Sequence, residues 1–217
     1  MSNFKKTFSS SSSYFLSVIP SGVSDIVKGF NAEIMGRERD EEEIKSIEIY
    51  QQKLNQEYRE EDHLPILQGI WEGCHLEGTF ELVSPQWKEI GFQNEDPSKD
   101  VRGGGELFLT CLCYFIEIHP DLSTPLMESR RNRDDGINYP FCAAGNQVMM
   151  MVAQLFNLHL PSSSSSKNYW YLTKEDDWFE ELFSFSFLLV DKFFEENGGT
   201  YMDFPMALED AKHRFFF

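Results

Sequence analysis

Basic residues are scarce in this chain. It carries 19 Lys and Arg against 36 Asp and Glu in 217 residues, a net charge of -17 and a pI near 4.6. Such a surface repels nucleic-acid backbones and anionic lipid headgroups at long range, which excludes nucleic acid as a partner and favours a basic or metal-bearing protein surface. Cysteines are few: Cys74, Cys111, Cys113 and Cys142, with no CxxC pair and no zinc spacing with histidine. They read as reduced, buried thiols of a cytoplasmic protein. No apolar run reaches the ~20 residues of a membrane span, so contact with a membrane is at most peripheral; Val148–Ala153 is apolar but short. Lys5 and Lys6 lead into serines rather than a long apolar run, a poor secretory signal. Ser2 stands where myristoylation needs glycine, and the chain ends in phenylalanines rather than a prenylation box.

Motifs of self-contained chemistry are missing as well. The histidines His63, His75, His119, His159 and His213 show no HExxH spacing, and no GxSxG turn occurs. The triplet Gly103, Gly104 and Gly105 is followed by Glu106 and Leu107, where a phosphate-binding loop needs Lys and then Ser or Thr. Strand-like alternation is confined to Thr79–Leu82, so the parallel sheet of a dinucleotide fold is not expected. The chain therefore calls for no metal, no cofactor and no nucleotide of its own. The acids Glu175–Asp177, Glu180 and Glu181 read as helix-start residues rather than as general acids.

What is present is apolar and aromatic: 41% hydrophobic residues and 20 phenylalanines, enough for one sizeable core. Residues 1–25 are Ser-rich, with Ser9–Ser13 as a homopolymer, and read as a disordered tail before a domain over 26–217. A second tract, Ser162–Ser166, reads as a surface loop. Glu38–Tyr58 has Ile44, Ile47, Leu54 and Tyr58 on one face and acids at its start, which predicts an amphipathic helix. Leu64–His75 predicts another. Glu106–His119 is apolar almost all round, a buried central helix that Pro120 stops, and Ser129–Asn138 reads as a charged loop. A helix starting near Tyr139–Pro140 carries Ala143, Ala144 and Gly145, small enough for close helix approach. Thr173 reads as the N-cap of a Phe-rich helix that ends at Gly198–Gly199, and a last short helix follows Tyr201–Pro205. The fold class is all-α, a compact single-domain helical bundle around buried central helices.

The segment Trp87–Gly105, W-K-E-I-G-F-Q-N-E-D-P-S-K-D-V-R-G-G-G, holds Arg102 on a glycine loop at the mouth of the central helix. A guanidinium is planar, permanently charged and matched to phosphate oxygens. Composition and spacing alone favour a structural use instead, with Asp100 capping the helix that starts near Gly105 and Arg102 paired to Asp100 or another acid.

These residues resemble the signature of the ELMO domain family, W-x3-G-F-Q-x3-P-x-T-D-x-R-G-x-G. Trp87, Gly91, Phe92, Gln93, Pro97, Asp100, Arg102, Gly103 and Gly105 match it in register; Lys99 stands where Thr is usual and Val101 where Phe is frequent. Leu107–Phe115, Tyr139–Gly145 and the Tyr201–Phe204 box resemble further family segments, so the similarity runs from about Ile44 to the C-terminus. In architecture the chain is similar to the single-domain ELMOD branch, whose members act as GTPase-activating proteins for Arf and Arl GTPases. The resemblance implies that Arg102 is an arginine finger supplied in trans to a GTP-bound small GTPase. It implies that Gly103 and Gly105 allow close approach to the nucleotide, that Trp87, Phe92 and Pro97 hold the loop rigid, and that Gln93 braces it. The alternative it allows is a non-catalytic adaptor that binds a Dock-type exchange factor in Rac signalling.

Overall fold

The computed structural model describes residues 40–101, 103–131, 138–160, 173–174 and 176–216. The tail 1–25, the tract Ser162–Ser166 and Arg102 lie outside the described residues.

Helix α1 (Glu41–Asn55) opens on a capping box: Glu43 N donates to Asp40 Oδ1 and Asp40 N to Glu43 Oε2, both at 3.0 Å. Three glutamates in its first turn face the positive end of the helix dipole. Ile47 and Tyr50 are its buried face. After α2 (Glu60–Gly73) and the short α3 (Gln86–Glu89) comes α4 (Gly105–Ile118), the apolar central helix. It packs against α1, α2, α5 (Pro120–Arg131), α6 (Phe141–Leu155) and α7 (Trp178–Glu196), and α8 (Phe204–Phe216) closes on α7 and α6. Among the described residues there is no strand; Thr79–Leu82 is irregular.

Two expectations are corrected. Pro120 does stop α4, but it also starts α5, so Ser129, Arg130 and Arg131 form a last helical turn rather than a loop. Proline is pre-organised for the first helical position, and Asp121 and the two arginines suit the two ends of the dipole. Apolar periodicity does not reveal α5, because its buried face mixes Ser123 and Arg130 with Leu126 and Met127. Secondly, Thr173 does not cap α7. The N-cap is Asp177, at φ 54° and with no side-chain cap bond. The helix start is set by Trp178, whose Nε1 donates to Ser46 Oγ at 2.9 Å and whose ring packs against Tyr50 and Phe156.

The acids of the first turn of α7 do more than complement its dipole. Buried Glu180 accepts from Tyr50 Oη at 2.5 Å and pairs with Lys53 at 3.2 Å, which ties α7 to α1. Glu181 accepts from Tyr114 Oη at 2.6 Å and from His119 Nε2 at 3.1 Å, which ties it to α4. Burial opposes the charge on Glu181, but these donors outweigh it and lower its pKa. At the small-residue stretch of α6, a Cβ on Gly145 would stand 3.3 Å from the Phe187 ring and 3.6 Å from Phe108, so glycine sets how closely α6 meets α7 and α4.

Cys111 and Cys142 are fully buried, and burial raises both thiols well above their ordinary pKa. Burial pushes Cys74 up to about 12, and burial with the nearby Glu117 carboxylate does the same for Cys113. Since the thiolate is the reactive form, all four are expected to resist Ellman's reagent at pH 8 in the native chain and to react fully in guanidinium. Rapid native reaction of any of them would contradict this packing.

Candidate partner-binding loop

The loop between α3 and α4 is bolted down by aromatics. Trp87 is fully buried; its Nε1 donates to Glu81 O at 3.0 Å, and its ring meets Trp71 of α2 at 5.1 Å and Phe92 at 5.5 Å. Phe92 in turn meets Phe108 of α4 at 6.4 Å. Buried Pro97 opens a single 3-10 turn, Pro97–Lys99, where Asp96 accepts from Ser98 N at 3.1 Å.

Gly91 joins this loop to α6. At φ 93°, a Cβ there would collide with Phe141 N and stand 2.8 Å from Pro140 C. That contact lets Ile90 O and Gly91 O accept from Cys142 N and Ala143 N, each at 3.2 Å. The loop carbonyls therefore cap α6, which has no side-chain cap. Gly91→Ala adds backbone collision to positive-φ strain, and the expected cost is on the order of 3 kcal/mol in urea denaturation. Gly103→Ala, at φ 86° with nothing within 4 Å of its Cβ position, pays only the strain of about 1 kcal/mol. Equal losses would refute the capping contact.

Asp100 has a different role from the helix cap expected of it. Its Oδ2 accepts from Gln93 N at 2.6 Å and Asn94 N at 2.9 Å, and its Oδ1 accepts from Asn94 Nδ2. The carboxylate staples the two arms of the loop. The N-cap of α4 is Gly104, with no side-chain bond; the Gly104 and Gly105 amides turn back to Val101 O at 3.2 and 2.9 Å. Gln93 donates through its backbone, while its side chain is exposed rather than packed as a brace. Gly105, at φ 55°, faces the C-terminal carbonyls of α1: a Cβ would lie 2.7 Å from Gln56 O and 2.8 Å from Leu54 O. Its conformational freedom serves contact within the domain.

The loop thus has two sides. Trp87, Gly91, Phe92, Pro97 and Val101 are buried, whereas Gln93, Lys99 and Gly103 are exposed, Lys99 standing 3.6 Å from Asp96. Arg102, outside the described residues, falls in sequence between buried Val101 and exposed Gly103. Beside the exposed side lies a cleft of about 430 Å³ lined by Gln93, Lys99, Asp100, Asn146 and Gln147. Asn146 and Gln147 belong to no motif of the sequence. Their signal is two carboxamides interrupting the apolar run of α6.

A second arginine, Arg130, is held in place by its surroundings. Its guanidinium carbon lies 4.8 Å from the Tyr139 ring centroid and 5.1 Å from that of Phe194. Nε donates to Asp191 Oδ1 at 2.9 Å and Nη2 to Glu195 Oε1 at 2.6 Å. Tyr139 Oη donates to the same Asp191 oxygen at 2.6 Å.

Fold and loop together define an all-helical domain that presents a stapled, glycine-flanked segment at its surface. No helix among the described residues is long and apolar enough to cross a membrane. The family model of ELMO/CED-12 matches residues 48–208, and the chain belongs to that family. It is 29% identical over 166 residues to ELMO domain-containing protein C of Dictyostelium discoideum, covering 70% of this chain and 25% of that protein. It is 32% identical over 145 residues to ELMO domain-containing protein 2 of Homo sapiens, covering 58% of this chain and 48% of that one. To ELMO domain-containing protein 1 of Mus musculus it is 28% identical over 186 residues, covering 75% and 56% respectively. The chain therefore spans from a quarter to a little over half the length of these curated relatives.

Proposed function

We propose that this chain is a GTPase-activating protein for a GTP-bound small GTPase of the Arf or Arl kind, acting through Arg102 from a domain over 26–217 with a Ser-rich tail at 1–25. Family membership supports the reading. The observation that carries it is the Asp100 staple with its aromatic bolts, a rigid frame around the segment that bears the arginine.

The chemistry divides between two proteins. The GTPase supplies nucleotide, magnesium and attacking water. Arg102 enters from outside and stabilises charge developing on the transferring phosphoryl group, a contribution worth roughly 10³–10⁵ in rate. Rigidity matters because misplacing such a group by about 1 Å can cost ~10²-fold. Lys99 adds a second positive charge on the exposed side of the loop, and Gly103 leaves room for the partner's surface. The protein works in the cytoplasm and reaches membranes through its GTPase. Single-turnover GTP hydrolysis by a panel of Arf and Arl proteins, with and without the chain, tests the proposal. Stimulation of at least one member is expected. Stimulation of none, with a Dock-type exchange factor recovered on the chain, overturns it in favour of the adaptor reading.

A further inference from the structure

A cavity of about 660 Å³ lies between α3, the end of α5 and the start of α6. Its charged lining among the described residues is Lys88, Arg130 and Arg131 against one acid, Glu89. That excess of cations is opposite in sign to the net charge of the chain, -17. The cleft beside the loop, by contrast, sets one lysine, Lys99, against one acid, Asp100.

The three cations are not equally committed. Lys88 pairs with Glu95 at 3.1 Å and Arg131 pairs with Glu89, and these two carboxylates are 52% and 51% exposed. Pairs so open to solvent are worth little and give way readily. Arg130 differs, because its side chain is 2% exposed. Nε and Nη2 are used by Asp191 and Glu195, but Nη1 is buried and has no hydrogen-bond partner. The Tyr139 and Phe194 rings clamp the guanidinium, so it is not free to turn and satisfy Nη1 elsewhere. A buried charged donor without an acceptor costs free energy until one reaches it.

We propose that this cavity binds a phosphate monoester. Arg130 Nη1 donates to the phosphate from the inner wall. Arg131 and Lys88 meet it from the rim, where they release Glu89 and Glu95. A dianion with several acceptor oxygens fits three cations and one acid better than a single carboxylate does. Pro140 and Tyr201, the latter 57% exposed, belong to the same lining and offer contact to the group that bears the phosphate. The volume has room for such a group. The site uses none of the exposed side of the Arg102 loop, and it stands or falls without the GTPase-activating reading.

Thermal melting of the full chain with inorganic phosphate, phenyl phosphate or acetate, at equal ionic strength, tests it without a GTPase. Both phosphates are expected to raise the melting temperature saturably, by about 4 °C at tenfold the dissociation constant. Phenyl phosphate should reach half-saturation at the lower concentration, and acetate should have little effect. Lys88→Gln and Arg131→Gln, at side chains 50% and 28% exposed, are each expected to raise the phosphate concentration for half-saturation about fivefold. Each is measured against its own melting temperature without phosphate. Arg130→Lys keeps a charge towards Asp191 but lacks Nη1, and is expected to lose the response. No saturable response to phosphate, an equal response to acetate, or native half-saturation in both glutamine variants overturns the site. Phenyl phosphate binding no tighter than inorganic phosphate overturns the assignment to a monoester.

Discussion

Arg102→Ala is expected to reduce the maximal stimulated rate of GTP hydrolysis by about 10³–10⁵, down to the rate of the GTPase alone. An arginine finger makes its interaction where charge develops in the transition state, so under the proposed function its loss appears in the maximal rate and far less in the concentration for half-saturation. Arg102→Lys is expected to recover little. A lysine keeps one charge but loses the planar fork that contacts two oxygens at once. The described bonds of the loop frame run from Asp100 to Gln93 and Asn94, and its packing runs through Trp87 and Phe92. Both variants should therefore melt with the native chain. Single-turnover hydrolysis at saturating chain is the measurement, and full activity of Arg102→Ala would overturn the finger mechanism.

Arg130→Ala is expected to produce the largest loss of stability, about 3–5 kcal/mol, which lowers the melting temperature by on the order of 10 °C in a chain of this size. The Arg130 side chain is 2% exposed and that of Asp191 21%. Removing the guanidinium leaves Asp191 in the interior with Tyr139 Oη as its donor. Burial already raises the Asp191 pKa, against the pull of Tyr139 and Arg130. Without Arg130 it rises further, so the folded variant binds a proton more readily than the unfolded chain does. By linkage the variant gains stability as pH falls through that raised pKa and loses it as pH rises. Its deficit against the native chain should be larger at pH 7 than at pH 5. The double variant Arg130→Met, Asp191→Leu, which removes both charges, should recover much of the loss. Urea denaturation of the single and double variants is the check; additive losses would contradict a coupled pair.

These residues show which parts of the molecule are local. Helices α1, α4 and α6 were legible because one chain segment carries the apolar period, and in α4 its own stop signal, Pro120; the start of α1 was not, since Asp40, read as part of the helix, is its N-cap. α5 was not, since its buried face includes Ser123 and an arginine whose partners lie 61 and 65 residues away. Thr173 read as a cap because acids follow it in sequence, but packing of Trp178 against α1 decided the start of α7. In the loop, the residues of the signature were legible and their division of labour was not. Asp100 points to the Gln93–Asn94 turn rather than to a helix end, and Gly105 faces α1.

By itself the sequence determined the helical class, the family and the segment that carries the arginine. Each of these is written in side-chain periodicity or in residues a fixed number of positions apart. Only the tertiary structure decided which side of the loop is exposed, that loop carbonyls cap α6, and that two carboxamides of α6, Asn146 and Gln147, line the cleft beside the loop. The physical reason is that burial and hydrogen bonding depend on approach in space: Gly91 meets Phe141, and Asn146 meets Gly104, across some forty to fifty residues of chain that no local pattern spans.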